Sequence, residues 1–250
     1  MSGFFRSLIA FSVLLSAPGF AQQKELRVAT YDIPPHVFVS KQGDLPAGAA
    51  VDFFNLYMNP QRKYKVKWLV TPFARFLIDL ENKKIDVGLL LAKNPDREKL
   101  IRYSSHSLYT TYSGVIVSKG FKLKELKTLT DLKGMTLGHS QASITPPLLV
   151  KAGVKFDYLS GEQVIRRNIE RVRLKRIDGV FAPTYTNAEY LLQNDKSVQD
   201  MHLLKIPESR LDLYIVFRKD IDQETFEYLS SQITKHYSSY PALVKKYITQ

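Results

Sequence analysis

The chain has 250 residues, of which 44% are hydrophobic and 24% charged, and it contains no cysteine. This length and composition fit one large or two small globular domains. They exclude a disordered chain, a collagen, a multi-span membrane protein and a disulfide scaffold. An excess of Lys and Arg gives a net charge of +12, which taken alone would allow an anionic solute, a membrane surface or a nucleic acid as partner.

The first 21 residues have the pattern of a secretory signal peptide. Arg6 precedes an apolar stretch from Leu8 to Leu15, and small residues then lead to Ala21. The apolar stretch is too short to span a membrane. We therefore expect residues 1–21 to be removed and the mature protein to be a soluble monomer in the periplasm. An exported protein meets little nucleic acid and the sequence has no nucleic-acid recognition motif, so we predict no nucleic-acid partner.

The first half of the mature sequence predicts a strand, a helix and a second strand. In residues 26–31 apolar and polar side chains alternate as they do in a strand, and two consecutive prolines follow at 34–35. From Phe73 onward, apolar residues recur at i, i+3, i+4 and i+7, which is the spacing of an amphipathic helix. The nearly continuous apolar run at 85–91 then predicts a buried strand.

The second half repeats this order. Residues 135–139 and 175–181 predict strands, and an amphipathic helix is expected between them. Lys84-Ile85-Asp86 in the first half is matched by Arg176-Ile177-Asp178 in the second, so we predict two α/β lobes of similar plan with parallel sheets. Both acids stand at the start of a strand, where a backbone N–H or a lysine is the expected partner. We therefore predict that neither is catalytic.

The last third of the chain is too short for a further domain. It contains the strand-like residues 213–217 and two helical segments, which we expect to complete the first lobe. Lobe I would then comprise residues 22–115 plus 207–250, and lobe II residues 116–206, with two crossings that form a hinge. Ligand sites of α/β domains gather at the carboxyl ends of strands, so we expect a site in the cleft between the lobes.

Several short phrases occur in the order found in one protein family. They are Leu26-Arg27-Val28-Ala29, Pro34-Pro35, Gly48-Ala49-Ala50-Val51-Asp52, Thr71-Pro72-Phe73-Ala74-Arg75, Lys84-Ile85-Asp86-Val87, Asn94-Pro95-Asp96-Arg97, Tyr103-Ser104 and Asp131-Leu132-Lys133-Gly134-Met135-Thr136-Leu137-Gly138. The chain thereby resembles the periplasmic solute-binding proteins of family 3, the polar amino acid type of ABC transporter receptor. The resemblance implies the α/β type II periplasmic binding protein fold, two lobes joined by a two-strand hinge. It also implies closure on a small solute and delivery of that solute to an ABC permease in the inner membrane.

The resemblance implies binding residues in the first lobe. The arginine of the Asn-Pro-Asp-Arg phrase, Arg97, is expected to hold a ligand carboxylate, for which its planar fork of donors is suited. Tyr31 and Phe73 are expected to form aromatic walls, although core packing is an open alternative for both rings. Arg75 would add a second cation if it faced the cleft, and otherwise belongs to a solvated helix face. For Arg97 the alternative is an ion pair with a neighbouring acid at the start of its own helix.

In the second lobe, Ser140 and Gln141 follow a strand and are expected to contact the ligand from the facing side. Tyr185, beyond the next buried strand, would also face the cleft, with a surface position as the alternative. The chain departs from the family at Leu90-Leu91-Ala92, where small hydroxyl residues are usual, and at Pro183, where an Asp usually receives the ligand ammonium. We therefore expect a carboxylate-bearing solute, either an amino acid or a related organic acid.

The sequence shows no pattern for a cofactor or a metal. Its five histidines lack metal-ligand spacing, and no GxSxG, Walker A or GxGxxG motif occurs. We therefore predict a binding protein and not an enzyme. Two alternatives remain: an enzyme on the same scaffold, similar to the periplasmic cyclohexadienyl dehydratases with Glu189 as proton donor, and a ligand sensor that is not coupled to transport.

Overall fold

The computed structural model describes residues 23–39, 45–141, 143–161 and 163–248, so the predicted signal peptide lies outside the described residues. Nine strands of the described chain are hydrogen-bonded into one sheet. They are β1 (Glu25–Thr30), β2 (Lys65–Val70), β3 (Val87–Ala92), β4 (Ile101–Tyr103), β5 (Tyr109–Ser118), β6 (Thr136–Ser140), β7 (Lys155–Leu159), β8 (Gly179–Ala182) and β9 (Met201–Arg218). The helices are α1 (Ala49–Phe53), α2 (Phe73–Glu81), α3 (Pro95–Leu100), α4 (Pro147–Lys151), α5 (Val164–Arg173), α6 (Tyr185–Asn194), α7 (Gln223–His236) and α8 (Tyr240–Ile248).

The sheet joins two parallel groups of strands through antiparallel ones. Its order is β2-β1-β3-β9-β5-β8-β6-β7, with β4 paired to β9. β1 runs parallel to β2 and β3, and β6 runs parallel to β7 and β8, as the repeated pattern predicts. The expectation of purely parallel sheets is wrong, because β9 returns antiparallel to both β3 and β5. Among the helices of the described chain, none combines the length and apolarity that crossing a bilayer requires.

Helices cover both faces of each half of the sheet. The first half packs one core against α1, α7 and α8, and a second against α2, which contributes Phe76 and Leu80. In the other half, one core includes Leu149 of α4 and the opposite one includes Ile169 of α5 and Ala188 of α6. This layering matches the α/β architecture expected from the sequence.

The repeated Ile-Asp pair has the same structural role in both halves. The Arg27 N–H donates to Asp86 Oδ2 at 2.8 Å, and the Thr136 N–H donates to Asp178 Oδ2 at 2.7 Å. Each carboxylate therefore fastens the strand that follows it to the parallel strand alongside. These contacts give both acids the backbone N–H partner that the sequence predicts, and Asp86 additionally forms ion pairs with Arg27 and Arg218. The absence of a catalytic role stays a prediction.

β5 and β9 pair along their length and cross from one half of the sheet to the other. Their register breaks between Tyr112 and Gly114, where residues 206–209 of β9 lie opposite Ser113. The Ser113 N–H donates to Ser209 Oγ at 3.0 Å, so one side chain takes the place of a ladder contact. Such a bulge bends a ribbon locally, and we propose it as the hinge. The lobe boundaries predicted from the sequence fall beside it and stay a prediction.

Candidate ligand-binding site

Arg97 lies in the first turn of α3, next to the end of β3. Asn94 caps this helix by accepting the Arg97 N–H at Oδ1 (2.8 Å), and Pro95 occupies the first turn. The Arg97 guanidinium donates through Nη1 to the carbonyl of Ala92 at 3.0 Å. Its central carbon lies 6.0 Å from the centre of the Phe73 ring. The side chain is thus fixed between a strand end and an aromatic face.

Arg97 forms none of the ion pairs found within the described residues. The two acids of its own helix are engaged elsewhere, Asp96 with Lys99 and Glu98 with Lys93, each at 2.8 Å. Burial lowers the pKa of Arg97, against the opposing effects of Tyr103, Tyr31 and Glu81. A half-buried cation without a close counter-anion is costly, and a bound anion would offset that cost.

Tyr31 and Phe73 lie in contact beside this guanidinium. Their ring centres are 4.8 Å apart in an edge-to-face arrangement, and Tyr31 also meets Phe76 edge-on at 5.4 Å. Burial raises the pKa of the Tyr31 hydroxyl, although the charge of Arg97 opposes this. The structure therefore brings together three of the residues predicted from the sequence, Tyr31, Phe73 and Arg97. Their contact with a ligand stays a prediction.

The end of β3 has an irregular backbone. The pairing of β3 with β9 shifts register between Gly88 and Leu91, and Leu90 adopts a φ of 62°. This left-handed conformation is rare for a leucine and often marks a functional site. The Tyr31 hydroxyl donates to the Leu90 carbonyl at 2.6 Å. This hydrogen bond fixes the Tyr31 ring to the irregular backbone at Leu90.

Tyr103 belongs to the same cluster, although sequence reasoning did not assign it to the site. Its hydroxyl donates to the Ala92 carbonyl at 3.2 Å. Burial raises the pKa of Tyr103 to about 12, while the charge of Arg97 acts in the opposite direction. The phrase Tyr103-Ser104, part of the family resemblance, was the signal that could have identified this residue.

Arg75 lies apart from this arrangement on the exposed side of α2. Its Nε donates to Asp79 Oδ2 at 2.9 Å, one helical turn away. The structure thus gives Arg75 the solvated helix face that was its alternative. A role as second cation of the site stays a prediction.

Ser140 and Gln141 lie where β6 ends, in a loop tied down by its own hydrogen bonds. Ser160 Oγ donates to Gln141 Oε1 at 2.5 Å, and the buried His139 lies with Nε2 3.2 Å from the Ile144 carbonyl. Burial lowers the pKa of His139, so the imidazole is a neutral anchor for the loop. These two candidates contact residues of their own half of the sheet, and their approach to a ligand stays a prediction.

Pro183 directly follows β8, and Tyr185 is the first residue of α6. The Pro183 carbonyl accepts the Ser113 hydroxyl of the proposed hinge at 3.1 Å. Tyr185 is half-buried at the start of α6, and burial followed by the charge of Glu189 raises its pKa. Ligand contact by Tyr185 is likewise a prediction that the structure leaves open.

Contacts that the sequence did not reveal join α6 to the loop after β1. Asn187 Nδ2 donates to the Pro34 carbonyl at 2.8 Å, and the rings of Phe38 and Tyr190 meet edge-on at 5.5 Å. Asp32 in the same loop accepts the Val39 N–H, and the positive charge of Arg166 on α5 acts on it. Helix α6, which packs on the second half of the sheet, thus contacts the loop after β1, which belongs to the first half. The two halves are also connected along β5 and β9.

Solved structures share this fold at low sequence identity. An amino acid ABC transporter substrate-binding protein from Streptococcus pneumoniae bound to L-arginine is 17% identical, with a TM-score of 0.72 over 90% of this chain and 94% of that one. The GluR0 ligand-binding core with L-glutamate is 10% identical, with a TM-score of 0.74 over 91% and 99%. An ancestral amino acid-binding protein, described as a precursor of cyclohexadienyl dehydratase, is 18% identical, with a TM-score of 0.71 over 90% and 95%. All three support the type II periplasmic binding protein fold.

Comparison at the sequence level gives the family. No match was found among curated protein sequences. The family model for bacterial extracellular solute-binding proteins, family 3, matches residues 26–250. That match includes both groups of parallel strands, the strand pair between them and the Arg97 cluster. The chain therefore belongs to the bacterial extracellular solute-binding proteins of family 3.

Proposed function

We propose that this protein is a periplasmic receptor that binds a small carboxylate-bearing solute at Arg97 and delivers it to an ABC permease. The observation that carries the proposal is the state of Arg97, which is half-buried, fixed by the Ala92 carbonyl and without an ion pair among the described residues. A guanidinium in this state offers its remaining N–H donors to a carboxylate. The similar structures bound to L-arginine and to L-glutamate support a solute that bears a carboxylate.

Closure of the two lobes would complete the site. The bulge at Ser113 and Ser209 would act as the hinge, and Ser140, Gln141 and Tyr185 would approach the ligand from lobe II. Ligand binding then shifts the population toward the closed form, which is the form a permease can recognise. Export by residues 1–21 and a monomeric state in the periplasm are part of this proposal.

Replacement of Arg97 tests the proposal directly. For a carboxylate that binds the native protein, Arg97→Ala is expected to weaken binding by about 1.5–3 kcal/mol, the contribution of a hydrogen bond to a charged group. The ligand would first be chosen by thermal shift from amino acids, dicarboxylates and aromatic acids, because a solute that binds only the folded state raises its stability. Isothermal calorimetry then gives the affinity of both proteins.

Arg102 offers a matched control for this experiment. Its guanidinium carbon lies 3.4 Å from the centre of the Phe226 ring, so it too is an arginine against a phenylalanine of the first lobe. Arg102→Ala should leave the affinity within about a factor of two of the native value, since surface substitutions away from the site have small effects. If Arg97→Ala binds the carboxylate as tightly as Arg102→Ala does, Arg97 is not the anchor.

An enzymatic function on this scaffold is the second candidate. It is favoured by the similarity to the precursor of cyclohexadienyl dehydratase and by the position of Glu189, a half-buried acid on α6 whose charge acts on Tyr185. A proton donor must first be within reach of its substrate. Incubation with prephenate, followed by its loss from solution, would establish this function, and an unchanged prephenate concentration would rule out that reaction.

A further inference from the structure

We propose that Tyr31 and Tyr103 set the specificity of the Arg97 site by occupying the carbonyl oxygens beside it, so that the site selects carboxylates without an α-ammonium group. This inference rests on the proposed function and narrows its solute class. An α-amino acid held at Arg97 must place its ammonium within a few ångströms of the guanidinium. There it needs acceptors for three N–H donors, and two carbonyl oxygens at the end of β3 that could accept them, those of Leu90 and Ala92, are already occupied.

The first acceptor is the carbonyl oxygen of Ala92. It receives Arg97 Nη1 at 3.0 Å and the Tyr103 hydroxyl at 3.2 Å. A carbonyl oxygen has two lone pairs, and these two donors use both of them. An ammonium could reach this oxygen only by displacing the hydroxyl of Tyr103 or the arginine that holds the carboxylate.

The second acceptor is the carbonyl oxygen of Leu90. The register shift before Leu91 and the φ of 62° at Leu90 take this peptide out of the regular pairing with β9. Such a carbonyl would be free for a ligand, but the Tyr31 hydroxyl donates to it at 2.6 Å. Leu90 is fully buried, so no water reaches it in place of the tyrosine.

Carboxylates near the site do not replace these acceptors. Glu81, whose charge acts on Arg97, is exposed at the end of α2, where solvent screens it. Burial raises the pKa of Asp32, which disfavours its anionic form, and the Val39 N–H and the positive charge of Arg166, which oppose this shift, are already its partners. Directly after β8 the chain has Pro183 and no acid, and the carbonyl of Pro183 accepts the Ser113 hydroxyl.

The balance of these contacts defines the solute. An ammonium at Arg97 would lose its hydration without gaining an anion, and an unpaired buried charge is strongly unfavourable. A carboxylate attached to an apolar or aromatic body meets no such penalty. It would place its charge on Arg97 and its body against the rings of Tyr31 and Phe73, which contact each other at 4.8 Å.

The test uses pairs of probes that differ only in the α-amino group: 3-phenylpropionate and L-phenylalanine, glutarate and L-glutamate, and 4-methylvalerate and L-leucine. Calorimetry gives the ratio of affinities within each pair for the native protein, for Tyr31→Phe and for Tyr103→Phe. The native protein is expected to prefer the acid without the amino group by at least about tenfold. Each variant, which frees one carbonyl and keeps the ring, should reduce this preference by about tenfold.

Tyr247→Phe is the matched control, because the Tyr247 hydroxyl donates to Asp52 Oδ2 at 2.8 Å, away from β3. It should leave the ratio unchanged, and thermal unfolding of all the variants checks that each is folded. Should the native protein bind an α-amino acid as tightly as its partner acid, or should neither Tyr31→Phe nor Tyr103→Phe change the ratio, the specificity proposal is wrong while the role of Arg97 stands. Weaker carboxylate binding by Arg97→Ala than by the native protein supports the proposed function separately. Binding of none of the six probes by the native protein would overturn both.

Discussion

Replacing Asp86 by alanine is expected to lower the free energy of unfolding by about 3–5 kcal/mol, the typical effect of removing one partner from a buried ion pair. Asp86 Oδ1 lies 2.8 Å from Arg27 Nη2 and 2.9 Å from Arg218 Nε, and its Oδ2 accepts the Arg27 N–H. Burial alone would raise the pKa of Asp86. The hydrogen bonds and charge of Arg27, followed by the charge of Arg218, outweigh burial and lower the pKa. The alanine variant would leave two cations and a backbone donor without this partner.

Asp178 provides the comparison that isolates the ion pairs. It makes the equivalent bond to the Thr136 N–H at 2.7 Å but is exposed. Asp178→Ala should therefore cost only about 1 kcal/mol, the net value of an ordinary hydrogen bond. Urea unfolding of the two variants measures the difference. Equal losses of stability at the two positions would show that Arg27 and Arg218 contribute nothing beyond the repeated strand contact.

Acid is expected to destabilise the protein through His36. The imidazole is fully buried, lies with Nδ1 2.8 Å from the Tyr240 hydroxyl and meets the Tyr109 ring edge-on at 4.8 Å. Burial lowers its pKa to about 3 from the ordinary 6.5. Between these two pH values the unfolded chain binds a proton that the folded protein excludes. Stability from this group is therefore complete above pH 6.5 and is lost as the pH falls toward 3, by about 2 kcal/mol at pH 5.

His36→Phe separates this effect from other titrating groups. The variant keeps an aromatic ring in the core but cannot bind a proton. The loss of its unfolding free energy between pH 8 and pH 5 should therefore be about 2 kcal/mol smaller than that of the native protein. His139, whose pKa burial also lowers, acts in the same direction and remains present in both proteins. If urea unfolding gives the same pH dependence for His36→Phe and the native protein, the buried imidazole is not the cause.

The sequence allowed prediction of those strands and helices whose patterns are local. The buried strands containing Val87 and Val180 stand out because nearly all their residues are apolar. The helix that begins at Phe73 stands out because its apolar residues recur at regular helical spacing. Residues 213–217 were expected to return to the first half, and they pair with β3. The full length of β9 was missed, because the half-exposed, polar residues before 213 alternate weakly. The antiparallel pairing of β9 depends on contacts distant in sequence, which periodicity does not show.

The site was predictable only in part, for a similar reason. Arg97 could be identified by the short phrase Asn-Pro-Asp-Arg. Tyr31 could be identified by its position at the end of a strand, and Phe73 by its position on the apolar side of a helix. Tyr103 lies in a short strand among polar residues, so its bond to the Ala92 carbonyl had no periodic signal. The bond between Tyr31 and Leu90 depends on an irregular turn within an apolar run that reads as an ordinary strand. Backbone irregularities of this kind follow from tertiary packing and leave little trace in composition.

The path of β9 also constrains the order in which the chain can assemble as it emerges from its N-terminus, during synthesis or during the proposed export. β3 ends at Ala92, but residues 213–217, its antiparallel partner, emerge only after the whole second group of parallel strands. That second group, from β5 through the early part of β9, is continuous in sequence and needs no later residues to pair. It can therefore fold while the earlier strands still lack a neighbour. The N-terminal half of the protein is the last to become complete, with an open edge strand that is prone to misassociation until the C-terminal segment arrives.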